Sequence, residues 1–233
     1  MPVFTVTGDI DPFLHVSLHQ GESIFCESDA MVMMEETLDL SAQMQGGLMQ
    51  SVMRTMANGE SFFQQKITAT RGDGDCLLSP SLPGAMEVLE VGETQYCLAD
   101  EAYVAASEGV EVRAQSQGMG NALFGGTGGF FIGRSNGRGQ LVVSGFGALF
   151  TLDVTPEKKI TIDNGHVIAW DSRLQYRLTT ATKKSGGLLN NLVNSVTSGE
   201  GIVLQFSGQG KVVVCSRNRG GFVSWLSSKI NRR

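Results

Sequence analysis

A glycine-centred β pattern occurs three times in this chain and constrains its fold more than any other feature. Residues 129–144 (GFFIGRSNGRGQLVVS) place apolar runs on either side of Asn136, Gly137 and Gly139. Asn and Gly accept the positive φ that tight turns between strands require, so the pattern predicts a β-hairpin. Residues 66–79 (KITATRGDGDCLLS) and 201–216 (GIVLQFSGQGKVVVCS) repeat the design. The chain is therefore expected to be a triplicated β unit.

A second marker gives the period of the repeat. Residues 21–29 (GESIFCESD) and 92–100 (GETQYCLAD) share the pattern G-E-x-x-[FY]-C-x-x-D at a shift of 71 positions, and a further shift of 71 reaches Asp171 in a weaker copy. These spacings predict three units, residues 1–91, 92–162 and 163–233. Units of this size bury their apolar faces largely against their neighbours. We expect an all-β fold of three β-sandwich-like units in a pseudo-threefold arrangement, with mostly antiparallel strands and a few short helices.

Composition and charge narrow the class of protein. Hydrophobic residues make up 41% of the 233 positions, which is ample for a core. No run approaches the length of a membrane span, and no secretory signal is visible, so cytoplasm is the default location. The four cysteines lack C-x-x-C spacing and are expected to be buried thiols, with Cys76 a core residue in the place of Leu141 and Val212.

Charge is distributed unevenly along the chain. Residues 1–100 carry 15 acids and 3 bases, whereas residues 101–233 carry 8 acids and 15 bases. Such a dipole is suited to head-to-tail contacts between subunits, although two merely solvated faces are the alternative.

Local patterns predict individual elements. Residues 3–7 and 13–19 alternate as strands around Asp11 and Pro12, and residues 30–43 continue as strand with a break near Glu35 and Glu36. Residues 222–230 predict a short terminal helix with Trp225 facing inward.

Each unit also inserts an apolar, glycine-bounded segment before its glycine turn: residues 46–58, 118–128 and 186–198. The first and third predict short helices at 47–57 and 187–196. If the units share an axis, these segments gather at one end and form an interaction patch for another copy, a protein partner or a membrane surface. Burial of each segment on its own unit is the alternative. The predicted patch residues are Leu48, Met49, Met53, Met56, Leu123, Phe124, Leu188, Leu189, Leu192 and Val193.

The sequence contains no nucleophile elbow, P-loop, dinucleotide-binding fingerprint or zinc-protease motif. His15 and His19 lie too far apart on a strand to chelate one ion, and surface or structural roles are expected. Asp29, Asp100 and Asp171 are candidate cation ligands if symmetry gathers them, and three local Asx turns are the alternative. No cofactor is predicted.

The repeated G-E-x-x-[FY]-C-x-x-D element, the Gly-Gly-Leu segments and the glycine turns together resemble the altered-inheritance-of-mitochondria protein family. The resemblance covers nearly the whole chain. It implies three structural repeats, each like the β-sandwich unit of the tryptophan RNA-binding attenuation protein, a short double-stranded β-helix. It also implies an association of the mitochondrial relatives with inner-membrane organisation, and it supplies no catalytic motif.

Three functions remain open from the sequence. A non-enzymatic, self-assembling scaffold or interaction module leads, as a cyclic homo-oligomer that could lie peripheral to the membrane. A jelly-roll-type small-ligand or metal-binding protein or enzyme is the alternative. The three aspartates or His15 would be its candidate binding residues. Nucleic acid is disfavoured as a partner because the sequence pI is near 5.2 and phosphate contacts need clustered cations.

Overall fold

The fold is all-β, as expected. A computed structural model describes residues 1–43, 64–115, 132–180 and 202–230. The first third holds β1 (Val3–Thr7), β2 (Phe13–Leu18), β3 (Ser23–Glu27), β4 (Met31–Met34), β5 (Leu38–Gln43), β6 (Gln64–Ala69) and β7 (Gly74–Leu78). The second holds β8 (Met86–Val91), β9 (Tyr96–Leu98), β10 (Tyr103–Ser107), β11 (Val110–Gln115), β12 (Ile132–Gly137) and β13 (Gly139–Ser144). The last holds β14 (Leu149–Val154), β15 (Ile160–Asp163), a 3-10 turn (Asn164–His166), β16 (Val167–Asp171), β17 (Gln175–Thr180), β18 (Ile202–Ser207), β19 (Gly210–Cys215) and helix α1 (Arg219–Ile230).

The strands form four sheets within the described ranges. Their orders are β1-β2-β7-β4, β5-β6-β3-β10-β13-β8, β11-β12-β9-β16-β19-β14 and β15-β18-β17. Pairings between these strands are antiparallel, as predicted. Both six-stranded sheets combine strands from two consecutive thirds of the chain.

The hairpin prediction for the glycine segments is wrong. β12 and β13 flank the turn that contains Gly137, yet β12 pairs with β11 and β9 while β13 pairs with β10 and β8. β6 and β7 likewise lie in different sheets, and so do β18 and β19. Each glycine turn therefore carries the chain from one sheet to another.

Steric crowding explains why glycine occupies this crossing. Gly137 has φ +110° and Gly139 has φ +142°, values that side chains disfavour. A Cβ on Gly137 would overlap the carbonyl oxygen of Gly109, and one on Gly139 would overlap the hydroxyl of Ser107. The chain changes sheets at a point where the backbone approaches its neighbours without room for a side chain.

Corresponding strands pair in the same way in each third. β4, β10 and β16 pair with β7, β13 and β19, and each pairing has a register shift after its first residue, at Met31, Tyr103 or Val167. Cys76, Leu141 and Val212 occupy the same place, opposite Met34, Ala106 and Trp170. The core position predicted for Cys76 is therefore confirmed. The pseudo-threefold axis and the three domain boundaries stay predictions.

Neighbouring thirds share their cores. The core built around Leu14, Val16 and Ile67 also contains Ala105 and Val142 from the second third. A second core joins Leu141 to Ala169 and Val213, and a third contains Trp170, Phe206 and Leu204. The strand pairs β3–β10 and β9–β16 continue the sheets across the same two boundaries. One third of the chain therefore cannot bury its apolar face without the next.

Several local predictions are confirmed. β1 and β2 pair around Asp11 and Pro12, and the chain breaks between β4 and β5 at the predicted place. All four cysteines are free and buried, and burial raises the pKa of the Cys26 and Cys76 thiols to about 12. The predicted helices at 47–57 and 187–196 lie outside the described residues.

The terminal helix is confirmed, but the inward orientation of Trp225 is wrong. α1 begins at Arg219, three residues before the predicted start, and its Trp225 side chain is 56% exposed. Trp225 stacks on Phe222 of the same helix, with ring centroids 6.0 Å apart, because the core of the last third is already filled by Trp170 and Phe206.

Candidate interaction surfaces

The ten residues of the predicted interaction patch all fall outside the described part of the chain. Leu48, Met49, Met53 and Met56 lie in the first apolar segment, Leu123 and Phe124 in the second, and Leu188, Leu189, Leu192 and Val193 in the third. Gathering of these segments into one patch stays a prediction.

The three candidate aspartates do not occupy equivalent places. Asp29 has φ +69° in the turn before β4, and Glu101, next to Asp100, has φ +61° in the turn before β10. Asp171 instead ends β16, where it is 2% exposed and accepts a 2.6 Å hydrogen bond from Arg173. The alignment of Asp171 with the other two is wrong because β10 begins 72 positions after β4 (103 − 31), whereas β16 begins only 64 positions after β10 (167 − 103), so a second shift of 71 passes the turn and reaches the end of β16.

The described residues include no group of three or more His, Cys, Asp or Glu side chains arranged to hold a metal ion. His15 lies 3.6 Å from Asp75, whereas His19 binds Asp73 at 2.9 Å. Asp73 also accepts a hydrogen bond from the backbone amide of Gln20. The two histidines have separate carboxylate partners on one sheet face, in keeping with the surface role predicted for them.

A cavity of about 180 Å³ lies where the turn before β10 meets the start of α1. Its polar groups are held by internal contacts: Arg219 pairs with Glu101, and the Arg217 guanidinium lies 5.7 Å from the Phe146 ring centroid. Burial raises the pKa of the Cys215 thiol, which disfavours the reactive thiolate. The cavity is smaller than typical ligand pockets, which begin at roughly 300 Å³. Its contacts anchor α1.

The first turn of α1 is fixed to the sheets. Asn218 caps the helix, accepting hydrogen bonds from the Gly221 amide on its side chain and from the Phe222 amide on its carbonyl, both at 3.0 Å. Asn is a favoured capping residue because its side-chain oxygen satisfies an otherwise unpaired amide. The Phe222 ring meets Phe146 edge to face, with centroids 5.2 Å apart. The helix therefore leaves the body at a defined place.

Beyond this anchor, α1 presents a face of apolar and basic side chains to solvent. Its large apolar side chains are 40% to 64% exposed: Phe222, Val223, Trp225, Leu226 and Ile230. At 3.6 residues per turn they occupy one side of the helix, and Arg219 and Lys229 lie on the same side. The opposite side carries Ser and Gly. No described helix is long and apolar enough to cross a membrane. Sequence reasoning missed this face, although the spacing of these residues, in a segment without acids, signals it.

The four sheets have eight edge strands within the described ranges, and β4 and β15 are two of them. β4 ends the first sheet and has no strand partner beyond β7, and its Val32 and Met33 side chains are 53% and 40% exposed. β15 ends the last sheet, with β18 as its strand partner. Unpaired backbone groups on such edges are templates for pairing with another strand.

A half-buried acid, Glu27, lies at the end of β3, beside β10. Burial, followed by the negative charges of Glu101 and Asp29, raises the pKa of Glu27 to about 7. The folded state therefore binds this proton more tightly than the unfolded state. The contribution of Glu27 to stability is thus highest below pH 4.5 and is lost as the pH rises through 7.

We expect Glu27→Gln to increase the free energy of unfolding by roughly 1 kcal/mol at about pH 8, after allowance for solvent screening. At about pH 4 it should change little. Urea titrations at the two pH values measure this, and an equal effect at both would contradict the assignment.

Comparisons with known proteins agree on one family. The family model described as mitochondrial biogenesis AIM24 matches residues 4–217. An uncharacterized protein of Streptococcus pyogenes serotype M6 is 33% identical over 223 residues, covering 92% of this chain and 85% of that protein. An X-ray crystal structure of a Streptococcus pyogenes protein superposes with a TM-score of 0.80 at 29% identity, covering 98% of this chain and all of that one. The chain therefore belongs to the mitochondrial biogenesis AIM24 family.

Proposed function

We propose that this protein is a non-enzymatic, self-assembling interaction module. The observation that carries the proposal is the face of α1, where the chain leaves five large apolar side chains uncovered at the end of a well-anchored helix. Exposed apolar side chains that are scattered singly need no partner, but a contiguous group on a soluble protein marks an interaction site.

The chemistry of the described residues supports a binding role. Near the cavity Arg219 pairs with Glu101 and His166 bonds to the backbone carbonyl of Cys215, and the four thiols are buried. Catalysis by a nucleophile needs an accessible group held next to a base. The described side chains instead serve to anchor α1 and to join the sheets.

Self-assembly is supported by the open edges of β4 and β15, since natural proteins usually protect such edges with charge, proline or a covering element. β4 offers the sequence Met-Val-Met-Met, which has none of these protections. A second copy of the chain covers such edges by continuing the sheets.

A peripheral membrane module is the second candidate, favoured by the cations of α1. Arg219 and Lys229 lie on its apolar side, and the aromatic rings of Phe222 and Trp225 lie between them. Exposed apolar and aromatic side chains suit attachment to the surface of an anionic bilayer when the long Arg and Lys side chains beside them reach its headgroups. The family's description as mitochondrial biogenesis proteins is compatible with either candidate.

The double variant Trp225→Ser, Leu226→Ser tests the role of α1. Both side chains are exposed, so the sheets should fold normally, and Ser224→Ala on the opposite side of the helix is the matched control. We expect the double variant to lose mass measured by light scattering if the face binds protein. If the face binds lipid, we expect it to stop sedimenting with vesicles that contain phosphatidylglycerol. Unchanged mass together with unchanged sedimentation would contradict the proposal.

A further inference from the structure

The chain contains two strand joints of one design and the two halves of a third. At the first joint, β10 pairs antiparallel with β3, placing Ala105 opposite Cys26. At the second, β16 pairs with β9 in the same direction, placing Ala169 opposite Leu98. Each joint pairs the strand that carries the register shift in one third with the outermost strand of the preceding third.

β4 and β15 are the unused halves of this design. β4 pairs with β7 with the same register shift that β10 and β16 show against their own partners. β15 pairs with β18 as β3 pairs with β6 and β9 with β12. Within the described ranges, neither β4 nor β15 has a strand on its outer side.

We propose that β4 of one copy pairs antiparallel with β15 of a second copy, joining the chains head to tail. The inference rests on the self-assembly proposed above and names the surfaces that produce it.

The register follows from the two internal joints. Ala105 and Ala169 pair with Val142 and Val213, and Met33 pairs in the same way with Leu77. Cys26 and Leu98 pair with Gln65 and Gly133, the second residues of β6 and β12, and Asp163 pairs with Val203, the second residue of β18. Met33 therefore faces Asp163, and Met34 faces Ile162.

Charge at the proposed joint is complementary. Glu35 and Glu36 follow β4, whereas residues 157–159, before β15, carry one acid and two bases. Antiparallel pairing places the end of β4 beside the start of β15. In this register Glu36 faces Ile160, and Lys158 is its diagonal neighbour on the same face of the sheet. At the first internal joint Glu108, directly after β10, also has a basic partner in the preceding third, since it binds Lys66 of β6 at 2.8 Å. Glu108 occupies the position after β10 that Glu36 would occupy in the new joint.

Asp163 is compatible with this register. Its carboxylate accepts hydrogen bonds from the Gly165 amide at 2.9 Å and from the Asn218 side chain at 3.5 Å. The side chain is thus satisfied within its own chain, which leaves the outer backbone edge of β15 for pairing. A head-to-tail contact of this kind closes into a ring if its rotation permits and otherwise extends as a filament.

Charge reversal tests the joint directly. Glu36 and Lys158 are exposed, so Glu36→Lys and Lys158→Glu should fold normally, and thermal unfolding checks this. In either variant alone, every joint sets like charges against each other, and we expect the dissociation constant to rise at least about tenfold. An equimolar mixture of the two variants restores opposite charges at every joint, and so does the double variant. Both should regain the mass of the unmodified assembly.

Lys211→Glu is the control, an exposed charge reversal away from the joint, and it should leave the mass unchanged. Unchanged assembly in Glu36→Lys and Lys158→Glu would overturn the joint while leaving self-assembly in place. Loss of assembly that the mixture and the double variant fail to restore would also overturn it. A single-chain mass for the unmodified protein would overturn both the joint and the self-assembly on which it rests.

Discussion

Replacement of Trp170 with alanine is expected to lower the free energy of unfolding by about 3 to 5 kcal/mol, the usual cost of deleting a buried aromatic side chain. Trp170 is 1% exposed, and its ring meets Tyr176 and Phe206 edge to face, with centroids 5.4 Å and 5.7 Å away. It also lies on β16 opposite Cys97, at the joint between the second and last thirds. The variant therefore removes contacts both from the core of the last third and from the joint between β9 and β16.

Chemical denaturation followed by circular dichroism measures this loss of free energy, and thermal unfolding measures the matching decrease in Tm. For a chain of this size, each 1 kcal/mol corresponds to roughly 2 to 4 °C in Tm, so a decrease of about 10 °C is expected. Phe222→Ala, which removes a 42% exposed ring, is a comparison that should cost far less. Equal losses for the two variants would show that Trp170 is not central to this core.

Gly137→Ala is expected to be the second most damaging change, at about 3 kcal/mol or more. The backbone there has φ +110°, which costs an L-residue roughly 1 to 2 kcal/mol. The added Cβ would also overlap the Gly109 carbonyl oxygen, a backbone atom that cannot rotate away. The clash falls at the point where the chain passes from β12 to β13, so relief requires the two sheets to separate.

Gly208 provides a matched control for this substitution. It has the same φ of +110° in the corresponding turn of the last third, but a Cβ there would have its nearest neighbour 3.7 Å away, on Leu174. Gly208→Ala should therefore show the conformational cost alone, about 1 to 2 kcal/mol. Urea titrations of both variants measure the difference, and equal costs would mean that crowding at the crossing contributes nothing.

The strands and their turns could be predicted from the sequence, but the strand partners could not. Apolar runs around Gly137 and Gly139 locate the ends of β12 and β13 correctly because glycine marks a backbone that a side chain would obstruct. A turn between two strands that pair with each other has the same local sequence pattern as a turn between strands of two different sheets. The choice depends on β10 and β11, which are distant in sequence and whose contacts no local pattern encodes.

The candidate surfaces were predictable to a smaller extent. The apolar spacing in residues 222–230 predicted a helix, but the same spacing fits a helix that packs on a core and one that faces solvent. Trp225 was assigned to the wrong side because the sequence does not show that Trp170 and Phe206 already fill the last core. Asp171 was misaligned because a fixed shift of 71 assumes units of equal length, whereas the stretch from β10 to β16 is shorter than that from β4 to β10.

The open edges needed the structure itself. The sequence showed acids concentrated in residues 1–100 and bases in the remainder, which suggested head-to-tail contacts. It did not show that β4 and β15 lack a strand on their outer sides among the described residues, or that two internal joints define how they would pair.

The mass of the unmodified protein in solution tests the central claim most directly. Light scattering coupled to size exclusion, over a range of micromolar concentrations, should give a multiple of the 24.9 kDa chain mass. Because the joint has opposite charges, this mass should fall toward that of one chain as salt is raised. A mass of 24.9 kDa at every concentration, in low and high salt alike, would contradict the account.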